Sequence, residues 1–112
     1  LGINISGGSD CPVEPFDLLP NLACAVTRTD PTMPGAKPWH PEQCLSVEEA
    51  VRVFTQGAAY ASFEENERGT LSVGKVADFA VLSRDIFTID PNEIGSSRVE
   101  MTVVDGEIAW EK

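Results

Sequence analysis

One carboxylate stands out at the start of the chain. In GGSDCPVEP, Gly7–Pro15, an apolar run from Leu1 to Ile5 gives way to two glycines, and Asp10 follows at once, with Cys11 beside it and Glu14 beyond. An aspartate on a glycine-flanked turn suits two kinds of chemistry: ligation of a divalent metal through a carboxylate oxygen, and acid–base transfer of a proton. The plain alternative is a turn aspartate that caps the helix that follows. Partners for either reaction are scarce. The chain has one histidine, His40, and three cysteines, Cys11, Cys24 and Cys44, with no CxxC spacing. A zinc site takes three or four protein ligands, and a lone histidine with scattered carboxylates does not assemble one. Cys11 has nothing basic near it to lower its pKa, so it reads as small buried filler. His40 reads as an exposed loop histidine beside Trp39. Lys75 and Asp78, in VGKVAD, read as an exposed cation and a residue that ties a turn together, and Glu64, Glu65 and Glu67 as a solvated helix end.

These residues sit in a chain of 112 residues, enough for one modest domain. It is 42% hydrophobic and 23% charged, an ordinary globular composition. A net charge of −10 argues against nucleic acid or an anionic membrane as partner, because both demand a basic face. No apolar run approaches the roughly 18–20 residues of a membrane span, and the first residues do not read as a signal peptide. An odd cysteine count without paired spacing fits a reducing cytoplasm. The chain starts with Leu1 rather than Met, inside what reads as a buried strand, which suggests a piece of something longer.

The elements that must position these residues follow from the pattern. LGINIS, residues 1–6, reads as a strand. Residues 16–28 read as a helix on the spacing of Leu18, Leu22 and Val26, starting near Pro20 or with Asp17 as its cap. Pro31, Pro34, Pro38 and Pro41 make residues 29–44 a long loop. Ser46 and Glu49 form a capping box, and Val47, Ala50, Val51, Phe54 and Ala58 form a helical stripe. Gly57 is expected to break that stripe, with one helix to about Thr55 and a short second one over Ala58–Phe63. Beyond Gly69 the period becomes that of strands: Gly69-Thr70-Leu71, then Ala77–Leu82, apolar on both faces and so expected to be buried. Asp90-Pro91-Asn92-Glu93 opens a helical turn. Asp105-Gly106, between Arg98–Val104 and Glu107–Trp110, is a strong hairpin signal.

Four stretches together resemble the C-terminal portion of amidohydrolase-superfamily enzymes, in the family 3 branch that includes the N-substituted formamide deformylases. They are GSDCPVEP with AVTR at Ala25–Arg28, LSVEEAVRVFTQGAAYAS at Leu45–Ser62, RGTLSVGKVADFAVLSRD at Arg68–Asp85, and TVVDGEIAWE at Thr102–Glu111. The third is the most specific. The resemblance implies an α/β fold: the last strand and helices of a (β/α)8 metal-dependent hydrolase barrel, plus strands of the accompanying β-sandwich. Taken as an isolated chain, it would be α+β. Residues 1–62 would be the last barrel strand, loop and terminal helices, and residues 63–112 the C-terminal strands of the composite sandwich.

The same resemblance implies that Asp10 is both catalytic residue and metal ligand in the complete enzyme, taking the proton from a metal-bound water. Glu14 and Arg28 are weaker candidates for substrate contact, with a solvated loop acid and a helix C-terminal cation as their plain readings. The implied cofactor is a divalent metal, zinc first, in the complete enzyme and none in the isolated chain. The implied substrate is a small amide or formamide cleaved at a non-peptide C–N bond. The family's HxH pair, bridging lysine or glutamate and further histidines have no counterpart here, and Gly57 stands where an asparagine is common. The isolated chain is therefore expected to be inactive. The alternative is a stand-alone, non-catalytic interaction module that has kept an enzyme's tail. An unpaired barrel strand would also offer an edge for self-association.

Overall fold

The computed structural model describes residues 2–33 and 35–112. Its regular elements are α1 (Leu19–Thr27), a 3-10 turn (Pro41–Gln43), α2 (Val47–Arg52), a π-helical turn (Val53–Gly57), α3 (Ala58–Ala61), β1 (Phe79–Leu82), a second 3-10 turn (Pro91–Ser96), β2 (Val99–Val104) and β3 (Glu107–Glu111). The chain is α+β, with one antiparallel sheet in the order β1-β2-β3. Its residues fall into two compact units: Leu1–Gly8 with Arg52–Ser83 and Val99–Lys112, and Ser9–Val51 with Arg84–Arg98. No described helix is long and apolar enough to cross a membrane.

In the first unit, the hairpin forms where Asp105-Gly106 requires it. Both residues take positive φ, 52° and 77°, the combination of a type I′ turn, whose twist matches the strands it joins. The turn is tied to the chain before β1: Gly106 N–H donates to Ala77 O at 3.1 Å, and Asp105 N–H to Asp78 Oδ1 at 2.8 Å. Asp78 also faces the Arg68 guanidinium at 3.4 Å, so it does tie a turn together. Lys75 is not the exposed cation expected. It is half-buried, and its ammonium donates to the carbonyls of Glu65, at 2.5 Å, and Arg68, at 3.3 Å. The VGKVAD string is thus a structural fastening.

Three strand expectations differ in this unit. Residues 2–9 form no strand, and Leu1 lies outside the described residues. A strand is defined by its ladder partner, and none of the three sheet strands pairs with this segment. Gly69-Thr70-Leu71 is not a strand either, because Gly69 turns at φ +89° against Ala59 and Gln56. β1 forms, but three of its four residues are exposed. Its apolar run pairs with β2 along one edge, and Phe79, Ala80 and Val81 stay exposed while Val103 of β2, opposite Phe79, is buried.

Gly57 does not break the helix. Its backbone is helical, φ −62° and ψ −42°, and the chain passes through it as a π turn that widens the helix by one residue. A Cβ at Gly57 would fall on the carbonyl oxygen of Ile5, so glycine is there to admit the backbone of residues 5–6. Gly7 sits in the same seat: its N–H donates to Val53 O at 3.1 Å, and a Cβ on it would meet the Phe54 ring at 2.8 Å. α3 then ends at Ala61, short of Phe63, which turns at φ +61°.

In the second unit, α1 starts at Leu19, near the expected Pro20, with Leu18 rather than Asp17 as its N-cap. Asp17 Oδ1 accepts the Leu19 N–H at 3.1 Å, and Pro20 falls where a missing N–H costs nothing. Leu19, Leu22 and Ala23 are buried, and so is Ile94 of the facing 3-10 turn, which has no exposed surface. Gly95 lies 3.5–3.6 Å from Ala23 and Pro20 at its hypothetical Cβ, a normal packing distance. Asp90 caps that turn through the Asn92 N–H at 2.9 Å, and this bond, followed by the Asn92 side chain, holds the Asp90 carboxyl below its usual range.

The capping box at α2 is complete: Glu49 N–H donates to Ser46 Oγ at 3.1 Å, and Ser46 N–H to Glu49 Oε2 at 2.8 Å. Ser46→Ala is expected to lower stability by about 1 kcal/mol, read as a lower urea midpoint with unchanged slope.

Candidate functional site

Asp10, Glu14, Arg28 and His40 all belong to the second unit. Asp10 sits at the head of a tight turn. Its carbonyl accepts the Val13 N–H at 2.9 Å, and Ser9 O accepts the Glu14 N–H at 3.2 Å. Its φ is +50°, a left-handed conformation in which aspartate and asparagine are several-fold enriched. The residue is exposed, and among the described residues its carboxylate engages no hydrogen-bond or ion-pair partner. The helix-capping alternative is therefore not what Asp10 does: the N-cap of α1 is Leu18, and the nearby Asp17 carboxylate accepts the Leu19 N–H. A carboxylate with free lone pairs is the oxygen donor that a divalent metal takes. It supplies one ligand, however, and no group of three or more His, Cys, Asp or Glu that could hold a metal occurs among the described residues.

The other candidates are arranged differently. Glu14 is exposed on the same turn. Cys11 is exposed too, rather than buried filler, because the turn that presents Asp10 carries its neighbour outward; it is a free thiol, like Cys24 and Cys44. Arg28 closes α1 in the left-handed conformation, φ +53°, with its N–H on Cys24 O at 2.8 Å. Its side chain does not reach out as a free cation. Arg28 Nε donates to Trp39 O at 2.6 Å, the Trp39 N–H donates back to Arg28 O at 2.8 Å, and the guanidinium carbon lies 4.9 Å from the Trp39 ring centroid.

His40 extends that cluster. Its ring stands edge-on to Trp39, with centroids 4.7 Å apart and planes at 79°. Its Nδ1 lies 2.8 Å from Glu42 Oε1. The Glu42 carboxyl is held below its usual range, first by its own backbone N–H and then by His40. Arg28 thus ties the proline-rich loop to the end of α1. The Arg28–Trp39 clamp itself escaped sequence reasoning. The signal was a Trp-His pair among four prolines, opposite a helix-terminal arginine.

The unit also has a shallow cleft of about 270 Å³ between α1 and the second 3-10 turn, with Cys24, Thr27, Asn92 and Ser96 in its wall. Asp10 does not line it, and it brings no acid or base to a reaction.

The amidohydrolase family model matches residues 1–109. The chain is 39% identical over 111 residues to the putative amidohydrolase YtcJ of Bacillus subtilis, covering 99% of the chain and 21% of the relative. It is 33% identical over 111 residues to the N-substituted formamide deformylase of Arthrobacter pascens, covering 99% and 20%. Among solved structures, the amidohydrolase from Thermotoga maritima superposes with a TM-score of 0.67 at 25% identity, over 99% of this chain and 24% of that one. A mutant of atrazine chlorohydrolase TrzN from Arthrobacter aurescens, complexed with zinc and atraton, superposes with a TM-score of 0.58 at 28% identity, over 86% and 22%. The chain spans about a fifth of the length of these relatives.

Proposed function

This chain belongs to the amidohydrolase family, and from that premise we propose that it is the C-terminal part of a metal-dependent hydrolase acting on non-peptide C–N bonds of small amides or formamides. The observation that carries the reading is Asp10: an aspartate on a left-handed turn, in the GSDCPVEP stretch, with its carboxylate unengaged. In the proposed architecture residues 1–62 complete a (β/α)8 barrel, and residues 63–112 complete a β-sandwich with strands from elsewhere in the protein. Such barrels carry their sites at the C-terminal ends of the strands, the place proposed for Asp10. The exposed β1 and β3 fit a sheet made to be covered.

The cofactor in this reading is zinc, supported by the zinc-bound neighbour and by the oxygen-donor chemistry of Asp10. When bound, zinc polarises a carbonyl and lowers the pKa of water. Asp10 would hold it through one carboxylate oxygen. The carboxylate's further task is to take up a proton from the attacking water and release it to the departing nitrogen, so that the amine leaves neutral. C–N cleavage is favoured over the C–Cl chemistry named for atrazine chlorohydrolase by the 33% identity to the formamide deformylase. A location in the cytoplasm fits the three free cysteines.

Stripping metal from the full-length protein with a chelator is expected to reduce amide hydrolysis to a few per cent or less, and added zinc to restore it. Hydrolysis indifferent to chelation in metal-free protein would end this reading. The second reading, a stand-alone module, draws on the lack of three clustered ligands among the described residues, and exposed Ile3 and Ile5 would then serve self-association. Reading the coding DNA upstream of Leu1 separates the two. An open frame carrying an HxH after a strand supports the enzyme, and an adjacent start codon supports the module.

A further inference from the structure

We infer that Gly7 and Gly57 are positioning residues for Asp10: they seat residues 5–7 on the π turn and so fix the chain three residues before the carboxylate. This rests on the hydrolase reading above. A metal ligand must be held to within about half an ångström. The Asp10 side chain has no protein partner among the described residues, so its place is set through its backbone. The segment leading to it forms no strand and joins no ladder of the described sheet. What fastens it is the π turn Val53–Gly57: Val53 O takes the Gly7 N–H at 3.1 Å, and the missing side chain of Gly57 admits the Ile5 carbonyl.

The seat is itself gripped. Gly69, at φ +89°, brings a third stretch of backbone against it, so close that a Cβ there would meet the Ala59 Cβ at 2.8 Å, the Gln56 Cα at 3.2 Å and the Thr55 O at 3.3 Å. Three glycines from three separate segments thus let backbone close on one turn of helix, where a side chain would hold it off. Such π turns inside helices are rare, and they are frequent at functional sites. Beyond the seat the chain has little slack. Ser9 O accepts the Glu14 N–H at 3.2 Å, and Asp10 O the Val13 N–H at 2.9 Å. A single residue, Gly8, therefore separates the fastened Gly7 from the fastened turn that carries Asp10. With consecutive Cα atoms held about 3.8 Å apart, a shift of residues 5–7 reaches Asp10 through the chain itself.

The test measures zinc affinity of the full-length protein by competition with a chelator, beside stability by urea denaturation. Gly57→Ala, which must push the Ile5 backbone away, is expected to weaken zinc at least about tenfold, the low end for groups that orient a metal ligand. Should that variant not fold, Gly7→Val carries the test, because it drives a branched side chain into the Phe54 ring and is expected to weaken zinc equally. Adding Phe54→Ala, which makes room, should bring zinc affinity back to within about threefold of the unaltered protein, even though the lost ring lowers stability further. A purely structural role would make affinity and stability fall together. Ser46→Ala, destabilising through the α2 cap, should leave zinc affinity within about twofold. On an Asp10→Asn background neither glycine substitution should cost more than about twofold further. Glycine variants that keep zinc while Asp10→Asn loses it, or that cost the same factor with and without the Asp10 carboxylate, would overturn the inference and leave the hydrolase reading standing. Zinc affinity untouched by Asp10→Asn would instead sink the metal role of Asp10, and the inference with it.

Discussion

Asp10→Asn in the full-length protein is expected to lower kcat/KM for amide hydrolysis by roughly 10³-fold, the middle of the range for a positioned acid–base group, while leaving the fold intact. The two halves of that expectation come from different facts. The catalytic half rests on the role proposed for the carboxylate: asparagine can neither take up a proton nor match the charge of an oxygen ligand to a divalent metal. A factor of 10³ corresponds to about 4 kcal/mol of transition-state stabilisation. The structural half rests on what is seen. Asp10 is exposed, its carboxylate holds no protein partner, and its backbone sits at φ +50°. Asparagine tolerates that region as well as aspartate does, so stability should move by less than about 0.5 kcal/mol. Steady-state kinetics with a thermal melt on the same preparation check both. Undiminished activity would show that Asp10 is a turn residue and nothing more, and unfolding would show that the turn depends on its charge.

Gly57→Ala is expected to destabilise the protein by about 2 kcal/mol or more, against the usual sign for such a change. Gly57 is helical at φ −62°, and replacing a mid-helix glycine with alanine normally stabilises by up to about 1 kcal/mol. Here the new methyl would land on the Ile5 carbonyl oxygen. That is backbone, and it cannot swing aside as a side-chain tip can. Overpacking costs of about 1–3 kcal/mol are typical even where side chains yield, so the steric term wins. Gly7→Ala should be milder, because its methyl would meet the Phe54 ring and a Val53 methyl, which can adjust. Urea denaturation followed by helical circular dichroism measures both. A stabilised Gly57→Ala protein would mean that the backbone of residues 5–6 does not lie across the π turn.

What could be read from the sequence was what short stretches decide for themselves. Ser46 and Glu49 bond each other across one helical turn, α1 starts beside Pro20, and Asp105-Gly106 turns the hairpin. What failed depended on distant chain. Residues 2–6 and 69–71 have strand-like composition, but strands exist by pairing, and these have no ladder partner among the described residues. The apolar run of β1 suggested burial on both faces, but burial is set by what packs on a sheet. Gly57 looked like a breaker because its reason for being glycine lies at Ile5. For the site, Asp10 was singled out by type and by resemblance, and its role remains the proposal made above. The Arg28–Trp39 clamp was not legible, since a backbone-to-guanidinium bond leaves no periodic trace.

The most direct measurement is a crystal structure of the full-length zinc-loaded protein with anomalous data at the zinc edge. We predict a carboxylate oxygen of Asp10 about 2.0–2.2 Å from the metal. A metal fully ligated by other residues, with the Asp10 carboxylate turned to solvent as part of a surface turn, would be incompatible with the role given to it here.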